Sequence, residues 1–588
     1  MANEIAYPYQ DASLDVEARV ADLLSRMTVE DKAGIVFHQM IVPDLDLDNP
    51  QWTGLGSLRE LVVDKRIRTF NILGSAPTET MVQFVNALQD LAAEQSLQIP
   101  ILISTDPRHS AIDNMFTSAA GEGLSRWPES PGLAALRDPE LVRAFADTVR
   151  QEYLAIGIHM ALHPQVDIAT EPRWSRISGT FGEDPELVAE YAVAYVLGLQ
   201  GETLGPDSVA AMTKHFPGGG PARDGLDPHF SNGRNQDYPG GQFATHLLPF
   251  EAAIAAGTSA IMPSYGIPRG IEVDGKPVEE VAMAFNRQMI TDLLRDDLGF
   301  EGVVCSDWGV VSDAEFMGQT MAARAWGVEE LAEVERLARV LNAGCDQIGG
   351  ESKPALVIEA LDKELLTEAV LDRAVARILR QHFQLGLFEG ARADLDEARQ
   401  VAGRADFVAA GIAAQKASIT LLKDSGNLPL SEGTKVYAEG MKPEAFDGLA
   451  QLVDDPSVAD VAVLRLQAPF EPGADGFAAM FHHGSLDFHD EEIAHVADIS
   501  AQVPTVVDIY LERPAIVVPL LPLTSELTGT YGTSDRAYAE VLFGDGKAEG
   551  VLPFDLPSSM AAVEASQTDT PFDTKDPLFK AGTSLQGD

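Results

Sequence analysis

Cysteine is nearly absent from this sequence, since Cys305 and Cys345 are the only two among 588 residues. Two cysteines cannot build the disulfide framework that stabilises many small secreted domains. No spacing of Cys and His resembles a zinc site, so we expect no metal ion. The N-terminus, MANEIAYPYQ, also lacks the basic and apolar regions of a signal peptide. These absences together predict a cytoplasmic protein with reduced thiols.

Basic residues are also scarce. Lys and Arg number 42 against 90 Asp and Glu, which gives a net charge of −48. A surface this negative repels nucleic acid and anionic membranes. Long apolar runs are missing too, and none reaches the length that spans a bilayer. We therefore expect neither nucleic acid nor a membrane as a partner, and an uncharged ligand without a cofactor is the better fit.

What the sequence does contain is a repeated alternation of short apolar strands and longer helical patterns. The predicted strands are residues 68–73, 100–105, part of 158–169, 209–215, 259–264, 302–306 and 343–348. The predicted helices include residues 14–27, 79–94, 139–155, 185–198, 242–256, 285–296 and 328–341. Strand followed by helix, many times over, indicates an α/β fold with parallel strands. A TIM-like (β/α) barrel closes this many units economically, and an open doubly wound sheet is the alternative.

A second domain is predicted after the barrel, because 588 residues are too many for one ordinary core. Residues 390–405 are charged and small and are predicted to be a linker between a domain over 1–389 and another over 406–588. Strand patterns at 461–466, 505–510, 515–520 and 526–531, with a helical pattern at 490–501, indicate an α/β sandwich domain. The tail after about residue 556 is expected to fold back over the surface.

The stretch GFEGVVCSDWG, residues 299–309, contains the first candidate for chemistry. Its apolar run reads as a buried strand, and Asp307 would stand where that strand ends. A helix N-cap after a strand explains such an Asp equally well. Polar residues end the other predicted strands as well, and in a barrel such ends meet at one face. These residues are Asp106, Asp167, Lys214, His215, Tyr265 and Asp307, with Arg173 and Arg176 close behind.

Several motifs resemble glycoside hydrolase family 3, the group of β-glucosidases and exo-β-glucanases. They are VEARVADLLSRMTVEDKAG, VDIATEPRWSRISGTFGEDP, TKHFPGGG, GFEGVVCSDWG, ASITLLKDSGNLPL and VLPFDLP, and they occur in the family's order. The resemblance implies a barrel followed by an α/β sandwich. It also implies a retaining, exo-acting β-glucosidase that cleaves terminal β-D-glucosyl residues.

The resemblance assigns roles to individual residues. Asp307 matches the catalytic nucleophile, and Trp308 matches an aromatic residue that flanks the sugar. The positions that hold the sugar hydroxyls are matched by Asp106, Arg176, Lys214 and His215, and Tyr265 stands where the family often has a tyrosine. In the segment after the second predicted strand, Ser110 replaces the family's glycine, so His109 is not assigned as a contact.

The acid/base residue has more than one candidate. In the family it often comes from a loop of the second domain, where VLRLQAPFEPGADGF offers Glu471, with Asp475 and Asp487 as further choices. A surface carboxylate explains Glu471 equally well. The rival is the Asp227–His229 pair in GGGPARDGLDPHF, which resembles the acid/base dyad of bacterial β-N-acetylglucosaminidases and would indicate such an enzyme or a phosphorylase. Otherwise this loop lines the substrate entrance, with Arg223 and Asp224 as contacts.

A third reading is a sugar-binding protein that kept the fold and lost activity, against which the intact Asp307 and its basic neighbours argue. The expected partners are a β-glucoside or oligosaccharide substrate and a second copy of the chain in a homodimer.

Overall fold

The computed structural model describes residues 7–51, 54–112, 121–273, 275–316, 319–473 and 476–585. Two sheets organise this part of the chain, namely a closed barrel and a six-stranded sheet that follows it. The order is the one that the sequence predicts, a TIM-like barrel followed by an α/β domain.

The barrel consists of eight parallel strands in the spatial order β1-β8-β7-β6-β5-β4-β3-β2, so that β1 closes the ring against β8. Because every strand has two neighbours, the open doubly wound alternative is wrong. The strands are β1 (Phe37–Ile41), β2 (Thr69–Ile72), β3 (Leu102–Thr105), β4 (Met160–Ala161), β5 (Ala210–Phe216), β6 (Ala260–Pro263), β7 (Val303–Trp308) and β8 (Gln347–Gly349).

Strand β1 was not predicted from the sequence. Its residues FHQMI include His38 and Gln39, which interrupt the apolar run that marks the other strands. Both side chains are buried, and His38 Nε2 lies 2.7 Å from Ser104 Oγ in β3. His38 is satisfied there by this partner across the barrel, whereas Gln39 Oε1 accepts locally, from the backbone N–H of Met40 at 2.7 Å. Strand β4 is also shorter than expected, with two residues where 158–169 was considered.

Helices cover the outside of the barrel and connect its strands. They are α1 (Val16–Arg26), α2 (Val29–Ile35), α3 (Thr78–Ala93), α4 (Ser130–Ala135), α5 (Pro139–Ala155), α6 (Pro185–Gln200), α7 (Phe243–Ala255), α8 (Glu333–Ala343), α9 (Pro354–Asp362), α10 (Glu368–Gln384), α11 (Leu387–Gly390) and α12 (Leu395–Val401). Glu60–Asp64 and Gln288–Asp297 form helices of the π type. Thr28 caps α2 in a capping box with Asp31, as its sequence predicts.

Helix α12 lies within residues 390–405, the predicted linker, and packs against α3 and α5. The segment is therefore partly helical and attached to the barrel. The domain boundaries themselves stay predictions.

The second sheet has the order β9-β14-β13-β12-β10-β11, with β9 antiparallel to β14 and the other pairs parallel. The predicted strand at 515–520 is wrong, because only an isolated bridge from Ile516 to Asp487 forms there. Pro514 precedes this run and Pro519 lies within it, and a proline has no N–H to give to a sheet. The elements are β9 (Thr420–Lys423), β10 (Lys435–Glu439), β11 (Gln451–Leu452), β12 (Val461–Gln467), β13 (Thr505–Tyr510), β14 (Glu526–Thr530), α13 (Ala405–Ala417), α14 (Asp490–Ser500), α15 (Asp535–Leu542) and α16 (Met560–Glu564).

Arg513, which is fully buried, ties a loop of the second domain to the barrel. Its guanidinium donates to the carbonyl oxygens of His483 and Ser485, at 3.0 Å each, and to that of Pro469. It also donates to the carbonyl of Arg173 in the barrel at 2.9 Å. We call residues 469–485 the roof loop, because its position bears on the site below.

Candidate active site

A cavity of about 170 Å³ opens at the carboxyl ends of the barrel strands. The sequence predicted that polar strand ends would meet here, and the structure brings together all seven of the barrel residues named as nucleophile or sugar contacts. The lining includes Asp106, Arg176, Lys214, His215, Tyr265, Asp307 and Trp308. We call this cavity the glucosyl pocket, after the sugar unit that the sequence resemblance predicts it to bind.

Asp307 stands near the end of β7, whose residues VVCSDW are buried up to the aspartate. Its Oδ1 accepts a hydrogen bond from the backbone N–H of Trp308 at 2.8 Å. Its Oδ2 lies 4.0 Å from His215 Nε2. The carboxylate is 6 % exposed, so a rigid strand holds it in a position where one oxygen still faces the pocket. That is the arrangement a carboxylate nucleophile requires.

Asp106 and Lys214 form a largely buried ion pair on another side of the pocket. Lys214 Nζ lies 2.9 Å from Asp106 Oδ1, and Asn71 Nδ2 donates to Asp106 Oδ2 at 3.0 Å. Burial alone would raise the pKa of Asp106, but the charge and hydrogen bond of Lys214, together with the hydrogen bond from Asn71, hold that pKa below its usual value. The pocket therefore offers an ionised acceptor beside a cationic donor, a combination that binds sugar hydroxyls with charge-assisted hydrogen bonds.

His215 is oriented by Asp167, which lies beneath it. The Nδ1 atom of His215 is 2.8 Å from Asp167 Oδ2, and Asp167 Oδ1 accepts from the backbone N–H of His215. Burial raises the pKa of Asp167, but His215 and these N–H donors bring it below its usual value. The ionised carboxylate fixes the ring, so that Nε2 points toward Asp307 and lies 3.5 Å from Arg176 Nη2.

Two aromatic side chains border Asp307. Trp308 meets the ring of His38 edge to face at 5.0 Å and packs on Gly349, where an added Cβ would lie 2.0 Å from the indole. Tyr265 donates from its hydroxyl to the carbonyl of Trp308 at 2.8 Å. Burial, with the nearby charge of Asp307, raises the pKa of Tyr265, so it remains a neutral donor.

His229 also lines the pocket, paired with Asp227. Its Nδ1 lies 2.6 Å from Asp227 Oδ1, and Trp174 donates to the other oxygen at 3.0 Å. Burial lowers the pKa of His229 even though Asp227 opposes that change, so the imidazole is neutral near neutral pH. Its ring touches Tyr265 at 4.6 Å between centroids. A neutral histidine beside a nucleophile can accept a proton or, once protonated, donate one.

The other sequence candidates lie outside the glucosyl pocket. Glu471 is exposed, and its backbone pairs with His483 within the roof loop. The side chain of Asp487 is likewise exposed, whereas Asp475 lies outside the described residues. Arg223 is an exposed partner of Asp237, with Nη2 and Oδ1 2.7 Å apart.

His109 also stays away from the pocket, since it is buried 2.9 Å from Glu152. Asp224, next to Arg223, is exposed at the surface and does not line the pocket either.

The sequence reasoning missed several lining residues. Gln39 comes from the unrecognised strand β1, and Arg324 and Met321 come from the segment after β7. Phe477 reaches the pocket from the roof loop of the second domain. The aromatic pattern FEPGADGFAAMF was a visible signal, but nothing in it told which part of the barrel it would meet.

Neither a metal centre nor a membrane span emerges within the described ranges. No group of three or more His, Cys, Asp or Glu side chains in these ranges is arranged to hold a metal ion. None of the helices described there has both the length and the apolar composition needed to cross a bilayer.

A family model described as the glycosyl hydrolase family 3 N terminal domain matches residues 57–381, more than half of the chain. Beta-glucosidase C of Emericella nidulans is 47% identical over 588 residues, which cover 98% of this chain and 93% of that protein. A periplasmic beta-glucosidase/beta-xylosidase of Dickeya chrysanthemi is 40% identical over 598 residues, which cover 98% of this chain and 91% of that protein.

Solved structures show the same fold at lower identity. An exo-1,3/1,4-beta-glucanase mutant from a Pseudoalteromonas species superposes with a TM-score of 0.77 at 22% identity, covering 98% of this chain and 97% of that one. A beta-glucosidase from Erythrobacter marinus also gives 0.77, at 23% identity, with 99% and 84% covered. The likeness extends over both the barrel and the second domain.

Proposed function

The chain belongs to glycosyl hydrolase family 3, and we propose on that basis that it is a retaining, exo-acting β-glucosidase. Its substrate is a β-glucoside or oligosaccharide from which it releases the terminal non-reducing β-D-glucosyl residue. The observation that carries the proposal is Asp307, a carboxylate fixed at the end of a barrel strand and surrounded by hydroxyl-binding groups. The full-length similarity to Beta-glucosidase C of Emericella nidulans supports the choice of glucoside.

The proposed reaction has two displacements at the anomeric carbon. An oxygen of Asp307 attacks C1, the bond from C1 to the aglycone oxygen breaks, and an acid donates a proton to that oxygen. Water, deprotonated by the same group, then attacks C1 and releases Asp307, which returns the β configuration. Asp106 accepts hydrogen bonds from the sugar hydroxyls, while Lys214, Arg176 and His215 donate them.

Two residues are proposed for the acid/base, and different observations support them. The family pattern supports Glu471, whose side chain is exposed and lies outside the glucosyl pocket. The position of His229 in the pocket, paired with Asp227, supports the dyad. The dyad also supports the second candidate function, a β-N-acetylglucosaminidase or a phosphorylase that uses His229 as acid/base.

Activity on paired substrates separates the candidate functions. We expect p-nitrophenyl β-D-glucoside to be cleaved faster than the N-acetyl-β-D-glucosaminide, with glucose rather than glucose 1-phosphate as product in phosphate buffer. The first product seen by NMR should be the β anomer, and a 2-fluoroglucoside should label Asp307. An α anomer, or a label on another residue, would overturn the proposal. Cello-oligosaccharides shortened one glucose at a time support exo action.

Substitution separates the two acids. A good leaving group needs no proton, so loss of the acid slows disaccharides far more than p-nitrophenyl glucosides. If Glu471 is the acid, Glu471→Ala loses far more activity on disaccharides than on p-nitrophenyl glucosides, azide restores its rate, and His229→Ala shows neither effect. If the dyad is the acid, His229→Ala shows both effects and Glu471→Ala shows neither. Glu491→Ala, which removes an exposed carboxylate of α14 that is no candidate for the acid, is the matched control.

A cytoplasmic location and a homodimer are further proposals. The two cysteines, free and buried, are consistent with a reducing compartment. Fractionation of the producing cells tests the location, and light scattering at several concentrations tests the dimer. Limited proteolysis tests the proposed division at residues 390–405.

A further inference from the structure

A second, larger cavity of about 470 Å³ adjoins the glucosyl pocket. Three residues, His229, Met321 and Phe477, line both cavities, so the two adjoin along these side chains. A substrate with its reacting bond at Asp307 that extends past His229 would enter the second space. That volume is within the range that accommodates a small organic molecule. We call it the outer chamber.

Aromatic rings from both domains form the walls of the outer chamber. Phe481 of the roof loop lies edge to face with Phe230 of the barrel, at 5.1 Å between centroids. Phe477 lies 5.2 Å from Phe481 and 5.9 Å from Phe230. Trp326 completes the set, and its one polar atom is already used, since Nε1 donates to the carbonyl of Pro228 at 2.8 Å. These four side chains offer a ligand apolar ring surface and no free donor.

The polar groups of the outer chamber differ from those of the glucosyl pocket. Among the described residues that line it there is no lysine or arginine. Its one carboxylate, Asp227, already accepts from His229 and Trp174. The remaining polar lining consists of His483 and of uncharged side chains such as Ser231, Asn232 and Thr320. A second sugar unit in the outer chamber would thus lack the charged partners that the glucosyl pocket offers to the first. An anionic group would find no lysine or arginine there, in a protein whose net charge is −48.

We propose that the outer chamber binds the aglycone and selects β-glucosides of uncharged aromatic alcohols over glucose disaccharides. The proposal rests on the proposed glucosidase function and names its substrate class. Phe230, Phe477, Phe481 and Trp326 determine this specificity by taking an aromatic ring out of water between them.

The test compares substrates that differ only in the ring. Ethyl and 2-phenylethyl β-D-glucoside both release a primary alkoxide, so their demand for acid catalysis is closely matched. Burial of the phenyl group should raise kcat/KM for the phenylethyl substrate by about tenfold to a hundredfold. Phe230→Ala and Phe477→Ala should each reduce this ratio severalfold. Phe572→Ala, which removes an exposed ring from the C-terminal tail, should leave the ratio unchanged.

The outcomes separate the two proposals. If neither glucoside is cleaved by folded protein, the glucosidase function fails. If both are cleaved with equal kcat/KM, or if cellobiose is preferred to the phenylethyl substrate, the glucosidase stands and the aromatic chamber is overturned. Should an alanine variant fail to fold, Phe230→Leu and Phe477→Leu keep an apolar side chain without the ring and give the same comparison.

Discussion

Glu129 makes the stability of the protein depend on pH at the contact between its domains. The side chain is buried, its Oε2 accepts from the hydroxyl of Tyr510 at 2.8 Å, and its backbone N–H donates to the carbonyl of Tyr531 at 2.9 Å. Its other oxygen has no partner among the described residues. Burial raises the pKa of Glu129 from 4.5 to about 8, and Glu512 nearby adds to the rise.

The sign and size of the effect follow from that pKa. The folded protein binds the proton more tightly than the unfolded chain, so this contribution to stability is complete below pH 4.5. It declines as the pH rises and is lost above about 8. Since each tenfold change in proton affinity is worth about 1.4 kcal/mol, the full loss is at most about 5 kcal/mol. Glu129→Gln removes the titrating group and with it this part of the pH dependence.

The assay is thermal unfolding of the wild type and Glu129→Gln at intervals from pH 5 to pH 9. The melting temperature of Glu129→Gln minus that of the wild type should increase steadily from pH 5 to pH 8. Glu471→Gln, an exposed glutamate, serves as the control and should run parallel to the wild type. Parallel curves for Glu129→Gln as well would mean that Glu129 is already ionised in the folded protein.

Three further substitutions probe the site and its supports. Lys214→Met should abolish turnover and lower the free energy of unfolding by about 3–5 kcal/mol, because Asp106 is left largely buried without its cation. Adding Asp106→Asn should recover the melting temperature but not the activity. Gly349→Ala should lower the free energy of unfolding by about 3 kcal/mol or more and raise KM, because the new Cβ would meet the ring of Trp308. Gly390→Ala is the control: it has open space around it and should change neither the stability nor KM. Arg513→Lys should lower kcat/KM for 2-phenylethyl glucoside more than for ethyl glucoside, because an ammonium cannot reach the same spread of carbonyl oxygens; equal losses on both substrates would contradict this.

How far the sequence predicted the fold depended on the environment of each strand. Strand β7, with Val303, Val304 and Cys305, and strand β13 were recognised because a wholly buried strand leaves a continuous apolar run. Strand β1 was not, because the polar residues His38 and Gln39 interrupt its apolar run, and the partner that satisfies His38 lies on another strand. A local pattern cannot reveal a partner that is distant in the chain.

The same distinction applies to the site. Asp106, Lys214 and Asp307 could be predicted because the barrel topology brings strand ends together whatever their spacing in sequence. Phe477 and Phe481 could not, because their position depends on how the second domain docks onto the barrel. That docking involves backbone carbonyl oxygens, which carry no side-chain signature in the sequence.

Arg513 connects the two halves of the proposed substrate site. Burial lowers the pKa of Arg513 to about 10, so the guanidinium is still charged near neutral pH. Carbonyl dipoles of the roof loop compensate the buried charge, together with that of Arg173, three residues before the proposed sugar contact Arg176. The charged lining of the glucosyl pocket comes from the barrel and does not need this link, whereas Phe481 and Phe477, the latter lining both cavities, depend on it for their position. Loss of the guanidinium should therefore weaken selection of the aglycone before it weakens binding of the glucosyl group.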